Sequence, residues 1–256
     1  MVGPGAACDA STVLSWWRHA VLVALLAGTL LAILSLDPIA QDQAYHRFAD
    51  DRGLAGIPNF LDVMSNLVFA LVGVAGLRVC LRTDVGVARA AWCTLFAGVA
   101  LVSIGSAWYH WAPDDASLVW DRLAMTVGFM GLFVALLAEY VSPRLTSLLV
   151  PAALAGPASV LYWHATGDLR LYAWIQLAPL LCIPVLLALY RGRWTHAWLL
   201  PVALAGYVLA KLFEAGDAAV FQATGGMVGG HTVKHLLAAA GCYCIVVMLR
   251  RRRPRS

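Results

Sequence analysis

Eight apolar runs, each close to the length of a bilayer crossing, constrain this chain more than any motif. They cover approximately residues 17–36, 60–81, 89–111, 118–139, 146–164, 171–190, 197–215 and 230–249. A hydrocarbon core about 30 Å thick takes roughly 20 apolar residues of helix. Only helices and closed barrels satisfy their backbone groups in lipid, and runs of this length read as helices. The expected fold is therefore an all-α integral membrane protein, a single bundle with short connections. Composition agrees: 12% of residues are charged and 61% hydrophobic, against about 25% charged in a soluble domain. No repeat or low-complexity linker divides the chain.

The first run is the ambiguous one. Arg18 stands at its start, before the apolar stretch that ends near Leu36, and Pro38-Ile39-Ala40 follows it as a weak cleavage site. Its length exceeds the roughly 7–15 residues of a signal-peptide core, so we read it as a retained helix. The six cysteines, Cys8, Cys80, Cys93, Cys182, Cys242 and Cys244, contain no Cys-x-x-Cys pair and read as packing residues.

Arginine placement sets the expected orientation. With the N-terminus inside, Arg18, Arg78, Arg82, Arg89, Arg144, Arg191, Arg193 and the tail Arg250–Arg253 with Arg255 collect on one side. The positive-inside rule then puts both termini in the cytoplasm. The 250–256 tail reads as a topology anchor in contact with lipid, and not as a nucleic-acid site. Arginine far outnumbers lysine, pointing to a GC-rich bacterial genome and an inner membrane.

Polar residues concentrate at the opposite ends of the runs. In "GSAWYHWAPDDASLVWDRL", Ser106 and His110 are four apart near the outer end of the third run, and Asp121 opens the fourth. The last run begins "GGHTVKHLLAAAG", with His231 and His235 again four apart. Residues at that spacing share a helix face. Three histidines, a serine and an aspartate therefore meet at one membrane depth. Three imidazoles with one open position are a common catalytic zinc set. Zinc lowers the pKa of bound water to about 7 and polarises a carbonyl. Asp121 is placed to act on that water, and Ser106 to donate to the developing oxyanion. Singly, each has a plainer reading: His110 as an interfacial hydrogen-bonding group, Ser106 bonded to its own helix, Asp121 as a helix-start carboxylate or the partner of Arg122 or Lys234. Intramembrane ionisable groups nonetheless tend to mark sites.

At these residues the sequence resembles the alkaline ceramidases, within the seven-helix membrane hydrolases that include the adiponectin receptors. The matching marks are Ser65-Asn66, "GSAWYH", Asp121 eleven residues after His110, and "HTVKH". The resemblance covers roughly residues 42–249. It implies a seven-helix core preceded by an additional hydrophobic helix in 1–41 and followed by the basic tail 250–256. It also implies a zinc amidase that hydrolyses ceramide or a related amide lipid, with His110, His231 and His235 as zinc ligands and Ser106 and Asp121 as catalytic groups. Lys234 stands where eukaryotic members often have tryptophan. Their calcium site precedes the first core helix; Asp50, Asp51, Asn59 and Asp62 lie there but do not match one for one, and Asp50 and Asp51 read as a solvated loop.

Lys211, Glu214 and Asp217 follow helical spacing and read either as an ion-pair network beside the metal or as snorkelling interfacial groups. Trp108, Tyr109, Trp111 and Trp120 read as an interfacial aromatic belt. Three alternatives stay open: a retinal protein using Lys234 in a Schiff base, a transporter, and a receptor with a structural zinc.

Overall fold

The structure, a computed structural model, describes residues 10–255; Cys8 lies outside the described residues. Ten α-helices are connected by short loops: α1 Ala10–Leu34, α2 Phe60–Ser65, α3 Leu67–Arg82, α4 Arg89–Trp111, α5 Asp115–Tyr140, α6 Leu149–Thr166, α7 Arg170–Leu189, α8 Leu199–Ala215, α9 Asp217–Ala223 and α10 Gly230–Arg251. Among the described residues there is no strand, only two isolated bridges. Seven helical segments, with α2 and α3 continuous as one, are long and apolar enough to cross a membrane. An eighth crossing forms if α8 and α9, bent by 82° at Gly216, are taken together. The eight runs in the sequence thus correspond to helices, with the run at 197–215 matched by α8 and the bend falling just beyond it. Large apolar side chains such as Leu71, Ile104 and Leu154 point outward, each about 70% exposed, a surface suited to lipid and costly in water.

Local chemistry sets the helix ends. Asp114 accepts from the Ser117 backbone at 2.6 Å while the Ser117 hydroxyl accepts from Asp114 N–H at 3.1 Å, a reciprocal cap on α5. The same contact holds the Asp114 carboxyl below the usual carboxylate range, first through the Ser117 backbone and then through its hydroxyl. Gly167, at φ 77, closes α6 in the left-handed region.

α5 is the most enclosed helix, packed by α4, α6 and α7, while α10 lies between α3 and α8. Small residues allow the α4–α5 backbones to touch. A Cβ at Gly98 would lie 2.3 Å from Gly128 N, one at Gly131 2.4 Å from Leu95 N, and one at Gly105 2.5 Å from Trp120 O. α1 packs on α7. There Arg170 donates to the carbonyls of Leu34 at 2.9 Å and Leu36 at 2.6 Å, tying the first helix to the bundle.

The arginine-rich end departs from the expected lipid-facing tail. α10 continues to Arg251, and Arg252 turns inward to an 8% exposed position. Its guanidinium forks onto Glu139, with Nη2 to Oε1 at 2.8 Å and Nη1 to Oε2 at 2.9 Å. It also donates to the Val85 carbonyl and stacks 4.4 Å from the Trp194 ring. One member of the basic run is therefore a buried structural ion pair, because Glu139 offers a partner that periodicity does not reveal.

Candidate metal centre

The end of α4 and the first turns of α10 bring His110, His231 and His235 together. All three are buried, at 1%, 4% and 2% exposure. Their ligand atoms lie within 4.8 Å of one another, and the ring centroids are 4.7 to 5.0 Å apart. Among the described residues this is the group of histidines, cysteines and carboxylates arranged to hold a metal ion. Phe48 covers it, 4.6 Å from His110 and 4.8 Å from His231 between centroids.

The surroundings orient the rings as metal ligands require. The Ser65 hydroxyl donates to the Asp62 carbonyl at 3.0 Å and lies 2.7 Å from His235 Nδ1. With its proton committed, Ser65 Oγ accepts from Nδ1–H, which places the free lone pair of His235 on Nε2. His110 Nδ1 is buried without a hydrogen-bond partner. A buried ring nitrogen without a partner costs free energy, and three imidazoles form an apt donor set for a borderline metal; the residues fit a bound ion. Asn59, left-handed at φ 44, donates to the His110 carbonyl at 2.8 Å. Thr232 donates to Asp62 Oδ1 at 2.5 Å, tying the start of α10 to α2.

Asp121 and Ser106 are buried on facing helices where Gly105 permits backbone contact. Both line the cavity that also reaches His235. Asp121 Oδ1 has no partner. The cavity holds about 430 Å³ and runs away from this polar head between mostly apolar walls. Its lining extends from Ser106 to Leu95 on α4, from Asp121 to Leu132 on α5 and from Lys234 to Ile245 on α10, about 16 Å along each helix.

The charged residues of α8 and α9 divide their work. Lys234 donates to Glu214 Oε1 at 2.5 Å and sits 3.1 Å from His231 Nε2; Lys211 also pairs with Glu214. Tyr45 donates to Glu214 Oε1 at 2.9 Å. Burial, reinforced by Glu214, keeps that phenol well above its usual pKa and therefore a donor. Asp217 belongs to a different group: past the bend it accepts from His231 N–H at 2.9 Å and from Ala49 N–H at 2.8 Å. It ties the start of α10 to the loop that covers the histidines. The close fit rests on Gly230, where a Cβ would fall 2.2 Å from the Phe213 carbonyl.

Two sequence readings need correction. Asp50 is not solvated: it is 3% exposed and gripped by Arg52 at 2.6 and 2.8 Å, while Asp51 faces outward. Arg52 holds the Asp50 carboxyl below its usual range through these side-chain bonds first. Asp50, Asn59 and Asp62 each serve separate bonds, to Arg52, the His110 carbonyl and Thr232. Tyr109 leaves the aromatic belt: it is buried 5.0 Å from His110 between ring centroids, whereas Trp108, Trp111 and Trp120 face outward. Sequence reasoning missed Phe48 and the roles of Ser65, Asp217 and Tyr45. Ser65 carried a signal in the Ser-Asn pair and Asp217 in its spacing from Glu214; Phe48 and Tyr45 carried none. No protein-family model and no curated protein matches the chain.

Proposed function

We propose that the protein is an intramembrane zinc-dependent amidase that hydrolyses the amide of ceramide or a related lipid to a fatty acid and a sphingoid or other amino lipid. The observation that carries the proposal is one juxtaposition: three buried histidines, an Asp121 whose Oδ1 has no partner, and Ser106, at the head of an elongated apolar cavity. A carbonyl group at that head leaves its acyl chain in the apolar run, where each buried methylene contributes about 0.8 kcal/mol.

His110, His231 and His235 hold the ion in this reading, with Ser65 fixing the tautomer of His235. When bound, zinc supplies Lewis-acid polarisation and a lowered water pKa. Asp121 accepts a proton from the water that adds to the carbonyl and returns it to the leaving nitrogen as the C–N bond breaks. Ser106 donates to the carbonyl oxygen as charge develops there. Lys234, engaged by Glu214, adds positive charge beside His231. The seven-helix core is preceded by α1 as an eighth crossing, with both termini cytoplasmic and the site facing the outer side of a bacterial inner membrane. The three grouped histidines favour a hydrolase over a retinal Schiff base on Lys234.

Asp121→Asn tests the reading. It removes the proton acceptor and keeps the shape. Fatty-acid release from amide lipids is expected to fall about 10²- to 10⁴-fold, with zinc content and melting temperature unchanged. Near-normal release by the folded variant removes Asp121 from the mechanism, and absence of release by the zinc-loaded native protein across an amide-lipid panel rules out the amidase.

A further inference from the structure

The residue after Asp121 is not used by the chemistry above. Arg122 is 6% exposed and lines the same cavity. Its guanidinium carbon lies over two rings, 4.0 Å from the Trp163 centroid and 4.7 Å from the Tyr172 centroid. Nη2 donates to Gln41 Oε1 at 2.5 Å. Nη1 is buried without any partner, and among the described residues no carboxylate forms an ion pair with Arg122. With these rings against it, the guanidinium offers a ligand its edge. An edge of this kind recognises planar anions through charge-assisted hydrogen bonds. An enclosed cation with an open donor is costly unless something completes it.

From this we infer that Arg122 is an anion-recognition residue and that the substrate amide carries a carboxylate on its amine side, as in a long-chain N-acyl amino acid. The inference rests on the amidase reading and narrows its substrate class. Both lysines that line the cavity are engaged by Glu214. Among the cations that line the cavity, Arg122 is therefore the one with no carboxylate ion pair among the described residues, and its planar fork matches a planar carboxylate. Gln41 fixes the guanidinium from the loop before the bundle core, and Asp121, the preceding residue on α5, lines the same space.

The test uses full-length, zinc-loaded protein in detergent and two readouts. In equilibrium binding, N-palmitoylglycine is expected to bind about 10- to 100-fold more tightly than its methyl ester, the range for one hydrogen bond to a charged group. Arg122→Gln abolishes that difference and Arg122→Lys retains part of it. In hydrolysis, kcat/KM for N-palmitoylglycine exceeds that for ceramide, and Arg122→Gln lowers it at least about tenfold more than it lowers ceramide turnover. Equal binding of acid and ester by the native protein overturns the inference, as does an equal loss on both substrates, which marks a purely structural arginine. Preference for ceramide 1-phosphate over the acylglycine overturns the carboxylate assignment. If Arg122→Gln does not fold, the acid-against-ester comparison on the native protein decides. Arg122-dependent binding without hydrolysis of any amide refutes the amidase and leaves the anion site standing; ceramide hydrolysis without acid preference does the reverse.

Discussion

Asp121 and Glu139 lie on the same helix, eighteen residues or five turns apart, about 27 Å, and both are buried. At the Glu139 end the carboxylate is saturated: Arg252 binds both oxygens and Trp92 donates to Oε1 at 2.8 Å. At the Asp121 end the polar inventory is incomplete. Asp121 Oδ1, His110 Nδ1 and Arg122 Nη1 have no protein partner, nor do Asp62 Oδ2 and Asn66 Oδ1 nearby. Buried polar groups are normally satisfied, so exceptions call for a cause. At the Glu139 end Arg252 Nε is left over while the carboxylate itself is fully bonded, and the pair holds the bundle together. The other end leaves five side-chain atoms open around the candidate metal centre.

Substitutions at the two ends should therefore fail in opposite ways. The largest effect belongs to the histidines: His110→Ala, His231→Ala or His235→Ala is expected to take zinc from about one ion per chain to near none, since two ligands remain of the usual three. Full metal occupancy in all three variants abolishes the contrast. Glu139→Gln should lower unfolding stability by about 3–5 kcal/mol, the range for stranding one member of a buried pair, while zinc stoichiometry in the folded fraction stays intact. Loss of zinc in parallel with stability would join the two ends into one unit. Ser65→Ala removes the acceptor for His235 Nδ1 and is expected to weaken metal affinity about 10- to 100-fold, measured by competition with a chelator; unchanged affinity frees the tautomer from Ser65.

The smallest effect is a pH dependence in the loop beneath the site. Arg52 holds Asp50 below its usual carboxylate range and also donates to the Met227 carbonyl at 2.7 Å. A folded-state pKa below the unfolded value of about 3.9 contributes stability above that value, lost as pH falls through the folded pKa. The native melting temperature should hold from neutrality to about pH 4 and drop below it. Asp50→Asn should lower the plateau and flatten the acid limb. Parallel curves for the two proteins dissociate Asp50 from acid stability.

What the sequence made legible was whatever follows from helical spacing. The i, i+4 pairs Ser106/His110 and His231/His235 need only a helix to share a face, and the helices announce themselves by length and hydropathy. What stayed hidden depends on loops returning across helices. Asp50 looks solvated until Arg52 folds over it; Tyr109 looks interfacial until Tyr45 and Phe48 cover it. Asp217 follows Glu214 by three residues, a neighbouring position on a straight helix, but the bend at Gly216 sends it to the backbone of His231 instead. Arg252 is indistinguishable from its basic neighbours in sequence, and the turn after α10 alone separates it from them.

The glycine seam between α4 and α5 also determines where this protein tolerates change. At Gly98, Gly105 and Gly131 any added carbon meets backbone at 2.3 to 2.5 Å, and backbone, unlike a flexible side chain, has nowhere to go. Ser106 and His110 on one helix keep their distance from Asp121 on the other through those three contacts. Cavity walls such as Met125, Phe129, Leu180 and Leu204 carry no such restriction. A laboratory lineage selected for new acyl lengths should accumulate its substitutions along these walls and leave the seam untouched, so that reacting geometry and chain selectivity evolve as separable traits.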